Sequence, residues 1–193
     1  MNAPRRVVVH ADESCLGNDR AKDTPGGNGA LIEAPAGDSV ARWDFYEFSP
    51  ATTNNRMALA GAIAVLEWIR RQWNRAHVVY VSDSQYLVKG MKEWLPGWKA
   101  RGWRRKGGEI ENLALWQKLD QAAAAHAVTW TWVEGHAGHP KNEYADTLAV
   151  SAAERQARSN GLVPSGFDAW LRNAQDAGRY RGYEPDREVH EPS

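Results

Sequence analysis

Apolar and polar positions change period several times along the chain, and each change predicts an element. Val7 to Ala11 is a short β-branched run that reads as a buried strand ending at Asp12. A loop rich in Gly, Asn and Asp is expected from Gly17 to Asn28. Two further strands follow, Ala30–Glu33 and Val40–Phe48, with Pro35–Asp38 as the turn between them. Thr52-Thr53-Asn54-Asn55 is an N-cap cluster, and Leu59, Ile63, Leu66 and Ile69 keep helical spacing as far as Trp73. His77–Val81 reads as a strand running into Ser82-Asp83-Ser84 and a short helix. Pro96-Gly97 predicts a bent or two-piece helical protrusion. Ile110–Ala125 reads as a helix and Val128–Val133 as a strand, and Pro140 opens a last core helix reaching about Arg158.

This order predicts an α/β domain over residues 1–158. Three strands joined by turns form an antiparallel meander, and two later strands, each preceded by a helix, add in parallel. The result is a five-stranded mixed sheet with helices on both faces. From Ser159 the composition shifts to Gly, Pro and mixed charge. Residues 159–193 are therefore expected to be a weakly structured C-terminal extension with one short helix near Phe167–Ala174.

Composition narrows the class. With 42% hydrophobic and 25% charged residues the chain reads as a soluble globular protein. No stretch reaches the roughly 18 apolar residues of a membrane span, and the first ten residues lack the apolar run of a signal peptide. Cys15 is the single cysteine, so no internal disulfide can form and a cytoplasmic protein is expected. A monomer is expected as well. The formal net charge of +0 excludes a globally basic nucleic-acid binder. Locally the picture differs: Lys89, Lys92, Lys99, Arg101, Arg104, Arg105 and Lys106 oppose only Glu93 across the protrusion, with Trp94, Trp98 and Trp103 among them.

Asp12 and Asp83 each follow an apolar strand. If those strands are parallel neighbours, both carboxylates come to one sheet edge, where α/β proteins tend to place ligands. Asp146 lies among small and apolar residues of the last helix and can point there too. Crowded carboxylates repel unless a cation compensates, and hard oxygen donors select Mg²⁺ or Mn²⁺ over zinc. Such a cluster suits phosphodiester hydrolysis. The plain alternative is a pair of turn-forming aspartates and a solvated helix residue.

Several local sequences decide between these. Asp12-Glu13-Ser14-Cys15-Leu16-Gly17-Asn18, Thr52-Thr53-Asn54-Asn55-Arg56-Met57, Asp83-Ser84-Gln85-Tyr86, Gly135-His136-Ala137-Gly138-His139-Pro140 and Asn142-Glu143-Tyr144-Ala145-Asp146 occur in that order. Together they resemble the bacterial type 1 ribonuclease H (ribonuclease HI) family over about residues 5–155. The resemblance implies the ribonuclease H-like fold and a metal-dependent endonuclease that cuts the RNA strand of RNA/DNA hybrids. It implies Asp12, Asp83 and Asp146 as ligands of two Mg²⁺ ions, for which Mn²⁺ can substitute, and His136 as the residue that handles protons or helps the product leave. The other reading of His136, a zinc ligand with His139, lacks a cysteine or third ligand. Cys15, Asn18, Asn54, Asn55 and Gln85 are implied as minor-groove contacts, the 2′-hydroxyl suiting short polar groups. Trp94, Trp98, Lys99 and Trp103 are implied as contacts to the DNA strand.

Two positions depart from the family pattern. After Asn55-Arg56-Met57 the family has Glu, where this chain has Ala58. Three readings of that alanine stand open: an engineered inactivation, a natural change tolerated through water or another ligand, and a protein that binds hybrids without cutting them. The loss of that carboxylate should hurt chemistry more than binding, so Ala58→Glu is expected to cut better than the parent. Glu13 stands where the family usually has Gly, and could serve as a surrogate ligand. Strand alternation argues against this, since neighbours of Asp12 face away from it.

Overall fold

The computed structural model describes residues 4–17 and 24–190. Among these, six strands form one sheet, in which the fifth, fourth, first, second, third and sixth strands of the chain lie side by side in that order. The meander consists of β1 (Arg5–Cys15), β2 (Thr24–Ala36) and β3 (Ser39–Thr52), paired antiparallel. Residues 24–28 of the expected loop are strand, because β2 already begins at Thr24, and residues 18–23 of it lie outside the described residues. β4 (Ala76–Ser82) and β5 (Ala127–Trp132) add in parallel on the other side of β1. The five-stranded mixed sheet is thus present, and a two-residue sixth strand, β6 (Val163–Pro164), extends its β3 edge.

Alternation along β1 sorts the two faces. Val7, Val9 and Ala11 join the main core with Leu59, Ala62, Leu66 and Ile69 of helix α1 (Asn54–Trp73). Thr53 caps this helix, its Oγ1 accepting from the Arg56 N–H at 3.3 Å. On the opposite face, Leu31 of β2 packs with Tyr144 of α5 (Pro140–Arg155), one of the helices covering that side. Gly27 and Gly29 of β2 allow a very close approach: an added Cβ would lie 2.3 Å from the Ala149 carbonyl oxygen and 2.5 Å from that of Ala145. The helix backbone rests directly on the strand, and this brings Asp146 over the sheet.

The basic segment differs from expectation. The chain is helical without interruption through α2 (Gln85–Lys89), a π-helical turn at Gly90–Trp94 and α3 (Leu95–Ala100). Pro96 sits at the start of α3, directly after the π-helical turn, and the run continues through it. Gly90 lies so close to the Trp116 ring that a Cβ would fall 2.0 Å from Cη2. Trp116 belongs to α4 (Leu113–Ala124).

The C-terminal segment is the main correction. Residues 159–190 are folded onto the sheet and α5, with β6, α6 (Phe167–Asp176) and a last turn, α7 (Arg187–His190). Phe167 and Val189 are fully buried. Asp44 accepts from Tyr144 Oη at 2.7 Å, Ser165 Oγ at 2.6 Å and the Gly166 N–H at 3.0 Å. Arg42 pairs with Glu33 at 2.8 Å, with Asp168 at 3.0 Å and with Asp186. The polar composition predicted disorder because it concealed that these charges have partners on β2 and β3.

Candidate active site

Parallel pairing of β1 with β4 stops at Ala11 and Ser82, so Asp12 and Asp83 emerge side by side. β1 itself does not end at Asp12. It continues to Cys15 against β2 alone, with Asp12 opposite Gly29 and Glu13 opposite Asn28. Asp12 accepts the Glu13 N–H at 2.7 Å and the Asn142 amide of α5 at 3.3 Å.

Glu13 then does what the alternation argument weighed against. Its side chain does turn to the face opposite Asp12, but that is the face where α1 lies. There it lines a small cavity with Met57, Ala58, Gly61 and Tyr80. A carboxylate oxygen of Asp12, Glu13 and Asp83 can each be chosen so that all lie within 4.8 Å of one another. Burial, followed by the charges of Asp12 and Asp83, raises the Glu13 carboxyl well above the usual range. Burial and the Asp83 charge push Asp12 up to about 8, and burial raises Asp83. Asp146 stands outside the tight trio, close enough for its charge to raise both aspartates.

The loop from β5 to α5 closes the site. Gly135 abuts Asp83 so tightly that a Cβ would lie 2.4 Å from Oδ2. His136 follows in a left-handed conformation (φ 54°); it is exposed, and its charge acts on Asp83. Among the described residues the His136–His139 zinc reading finds no third ligand beside His136, and His139 turns instead toward His10 and Glu188.

The other expected contacts fall into three groups. Gln85 and Asn54 are exposed, and Asn55 and Cys15 half-buried, at the ends of elements that border the carboxylates. Asn18 lies outside the described residues. In the protrusion, Trp94 is 36% exposed, whereas Trp98 is buried against Trp116, their rings 5.6 Å apart. Trp98 is therefore in large part a core residue, as the packing of α3 on α4 requires. Tyr86, Trp94, Trp98, Arg105 and Glu111 enclose a cavity of about 330 Å³. Trp103 is half-buried and packs against the core, and Lys99 is tied to Asp120 at 2.8 Å. Arg105 and Glu111 carried no motif that singled them out.

With this geometry in hand, a comparison with known families matches the model described as RNase H over residues 4–154. The chain belongs to the RNase H family. A ribonuclease H of Methylorubrum extorquens is 47% identical over 147 residues, covering 76% of this chain and 60% of that relative. One from Thiobacillus denitrificans is 44% identical over 144 residues, 74% and 90% of the two lengths. Among solved structures, LC9-RNase H1, described as a type 1 RNase H with the type 2 active-site motif, shares 46% identity. It superposes with a TM-score of 0.88 over 100% of this chain and 94% of its own. The fold, the hydrolase class and the family expected from the motifs all hold. Among the described residues, no helix is long and apolar enough to cross a membrane.

Proposed function

We propose that Asp12, Glu13, Asp83 and Asp146 form the divalent-cation site of a working ribonuclease H, with Glu13 in place of the carboxylate that Ala58 lacks. The observation that carries this is the convergence of Asp12, Glu13 and Asp83 within 4.8 Å. Three carboxylates so close and so shielded from water cannot all ionise without a compensating cation, and burial first, then their mutual repulsion, raises the carboxyls of Asp12 and Glu13. The donor set is all hard oxygen, which fits Mg²⁺, with Mn²⁺ as substitute and two ions as the family's stoichiometry. Bound there, such ions lower the pKa of an attacking water and stabilise the leaving oxygen. That LC9-RNase H1, 46% identical to this chain, is described as a type 1 RNase H with the type 2 active-site motif supports a site that departs from the usual type 1 pattern.

The chain's own groups set the rest. The Glu13 N–H and the Asn142 amide hold one rotamer of Asp12. His136 stands exposed at the rim beside Asp83, free to give or take a proton and turn with the departing product. Gln85, Asn54, Asn55 and Cys15 border the trio on the side open to a minor groove, and the cavity at Trp94 and Arg105 suits a sugar-phosphate strand. Residues 1–158 carry this chemistry as a monomer in a reducing cytoplasm, where unpaired Cys15 stays a thiol.

The test is incubation with a labelled RNA/DNA hybrid and Mg²⁺ or Mn²⁺. Cleavage of the RNA strand to 3′-hydroxyl and 5′-phosphate ends is expected. Tight binding with no cleavage in either metal would show a hybrid-binding protein instead.

A further inference from the structure

Beneath the active site, on the Asp12 face of β1, lies a second group of ionisable side chains that the chemistry above does not use. Glu188 of α7 stands at its centre. His139 Nε2 lies 3.1 Å from its Oε1, Tyr183 Oη donates to that same oxygen at 3.2 Å, and Lys141 Nζ and His10 Nε2 lie 3.2 and 3.5 Å from its Oε2. Lys141 and Glu33 are both fully buried and meet at 2.8 Å, an ionic contact without hydrogen-bond geometry.

His10, His139 and Glu188 have the spacing of a metal-ligand triad, but two features oppose that use. The Lys141 ammonium already supplies the cation beside the Glu188 carboxylate. The Nδ1 atoms of His10 and His139 are both buried without a hydrogen-bond partner, whereas a ligating histidine almost always donates its second ring nitrogen to a carboxylate or carbonyl. Burial would raise the Glu188 carboxyl, yet the His139 hydrogen bond and the Lys141 charge outweigh it and hold it below the usual carboxylate range. Glu188 is thus a settled anion gripping a histidine.

What it grips matters. His139 is the residue before α5, and only five residues, Gly135 to His139, span from the Asp83 carboxylate to that helix. Within the span His136 and Gly138 take positive φ, 54° and 84°. Gly135 is held against Asp83 at one end. At the other, the side-chain anchors of His139 among the described residues are Glu188 and the ring of His10, stacked at 5.2 Å, and the edge of Tyr183 at 6.2 Å. His136, between these two ends, is exposed.

We propose that Glu188 is a positioning residue for the cleavage reaction: the C-terminal segment, outside the RNase H match of residues 4–154, clamps His139 and thereby sets the loop that presents His136 to the carboxylates. The clamp rests on the role given to His136 above. Because the side-chain contacts of Glu188 are His139, Lys141, His10 and Tyr183 and not the carboxylate trio, its loss is expected to act on turnover and leave affinity in place.

The test is steady-state cleavage of a labelled hybrid by the full chain in Mg²⁺, at a temperature where every variant is folded by circular dichroism. Glu188→Ala is expected to lower kcat about 10-fold, the scale on which outer-shell partners act, with KM within about twofold. Glu188→Gln, which still accepts from a neutral His139, retains kcat within about threefold. His139→Ala combined with Glu188→Ala is no slower than the slower single variant, the signature of two residues acting through one contact. His136→Ala is run beside them. If it cuts as fast as wild type, the role of His136 fails, and the clamp with it. If His136→Ala is slow while Glu188→Ala keeps kcat, or the His139 and Glu188 losses multiply, the clamp alone is overturned. Stoichiometric zinc in the purified protein, lost in Glu188→Ala, would overturn it in favour of a metal site.

Discussion

Glu13 on β1 and Ala58 on α1 line the same cavity, about 10 Å³, between the strand and the helix. Room for about one water remains there, so the space a helix carboxylate would need is already used by the strand carboxylate. On the proposed reading, Ala58 is a change accommodated by another side chain.

Ala58→Glu by itself is therefore expected to lower cleavage, the reverse of the gain expected from motif comparison. The new carboxylate would meet Glu13 in a space too small for both, adding one more like charge to a site where Asp12 already sits at about 8. Initial rates on a labelled hybrid, with Tm measured alongside, check this. A faster Ala58→Glu enzyme would mean that Glu13 does not fill the place.

Asp83→Asn is expected to abolish cleavage while leaving hybrid binding within a few-fold of wild type. Asp83 faces the carboxylates and Gly135 and is not itself one of the basic or aromatic residues of the protrusion. Filter binding in EDTA and cleavage in Mg²⁺ separate the two. A large loss of affinity in the absence of metal would show that Asp83 supports the groove itself.

The raised carboxyls predict a pH signature. Asp12, Glu13 and Asp83 all have folded-state pKa values above the ordinary carboxylate range. A raised acid contributes stability below its unfolded pKa and loses it as pH rises through the folded value. In EDTA, Tm should fall between about pH 5 and pH 8, and Mg²⁺ should restore more of it at pH 8 than at pH 5.5. Asp12→Asn should flatten both trends. A metal-induced rise in Tm that is larger at pH 5.5 would contradict the assignment.

Lys141→Met should cost about 3–5 kcal/mol of unfolding free energy by urea titration, because it strands the fully buried Glu33 carboxylate with Arg42 as its remaining cation. Lys141→Met/Glu33→Leu should recover much of that loss.

Which parts were legible from residues alone follows from how local each cause is. Asp12 and Asp83 needed only two apolar runs and parallel neighbours, and the pairing of Ala11 with Ser82 supplies that. Glu13 was readable in direction but not in meaning: alternation turned it away from Asp12, and only the packing of α1 shows that this leads back into the site. Trp98 stood in a basic segment as an implied contact to the DNA strand, and only the packing of α4 shows Trp116 against it. The C-terminal segment was least legible. Arg42 with Asp168 and Asp186, and Lys141 with Glu188, join residues far apart in the chain, and no local pattern marks such partners.

The central claim is that Glu13 supplies the carboxylate Ala58 lacks, and a carboxylate relocation tests it most directly. Mg²⁺-dependent hybrid cleavage is measured for wild type, Glu13→Gly and Glu13→Gly/Ala58→Glu. The account predicts that Glu13→Gly loses more than about 100-fold in kcat, beyond what outer-shell partners typically cost, and that adding Ala58→Glu recovers most of it. A Glu13→Gly enzyme that cuts as fast as wild type would contradict it.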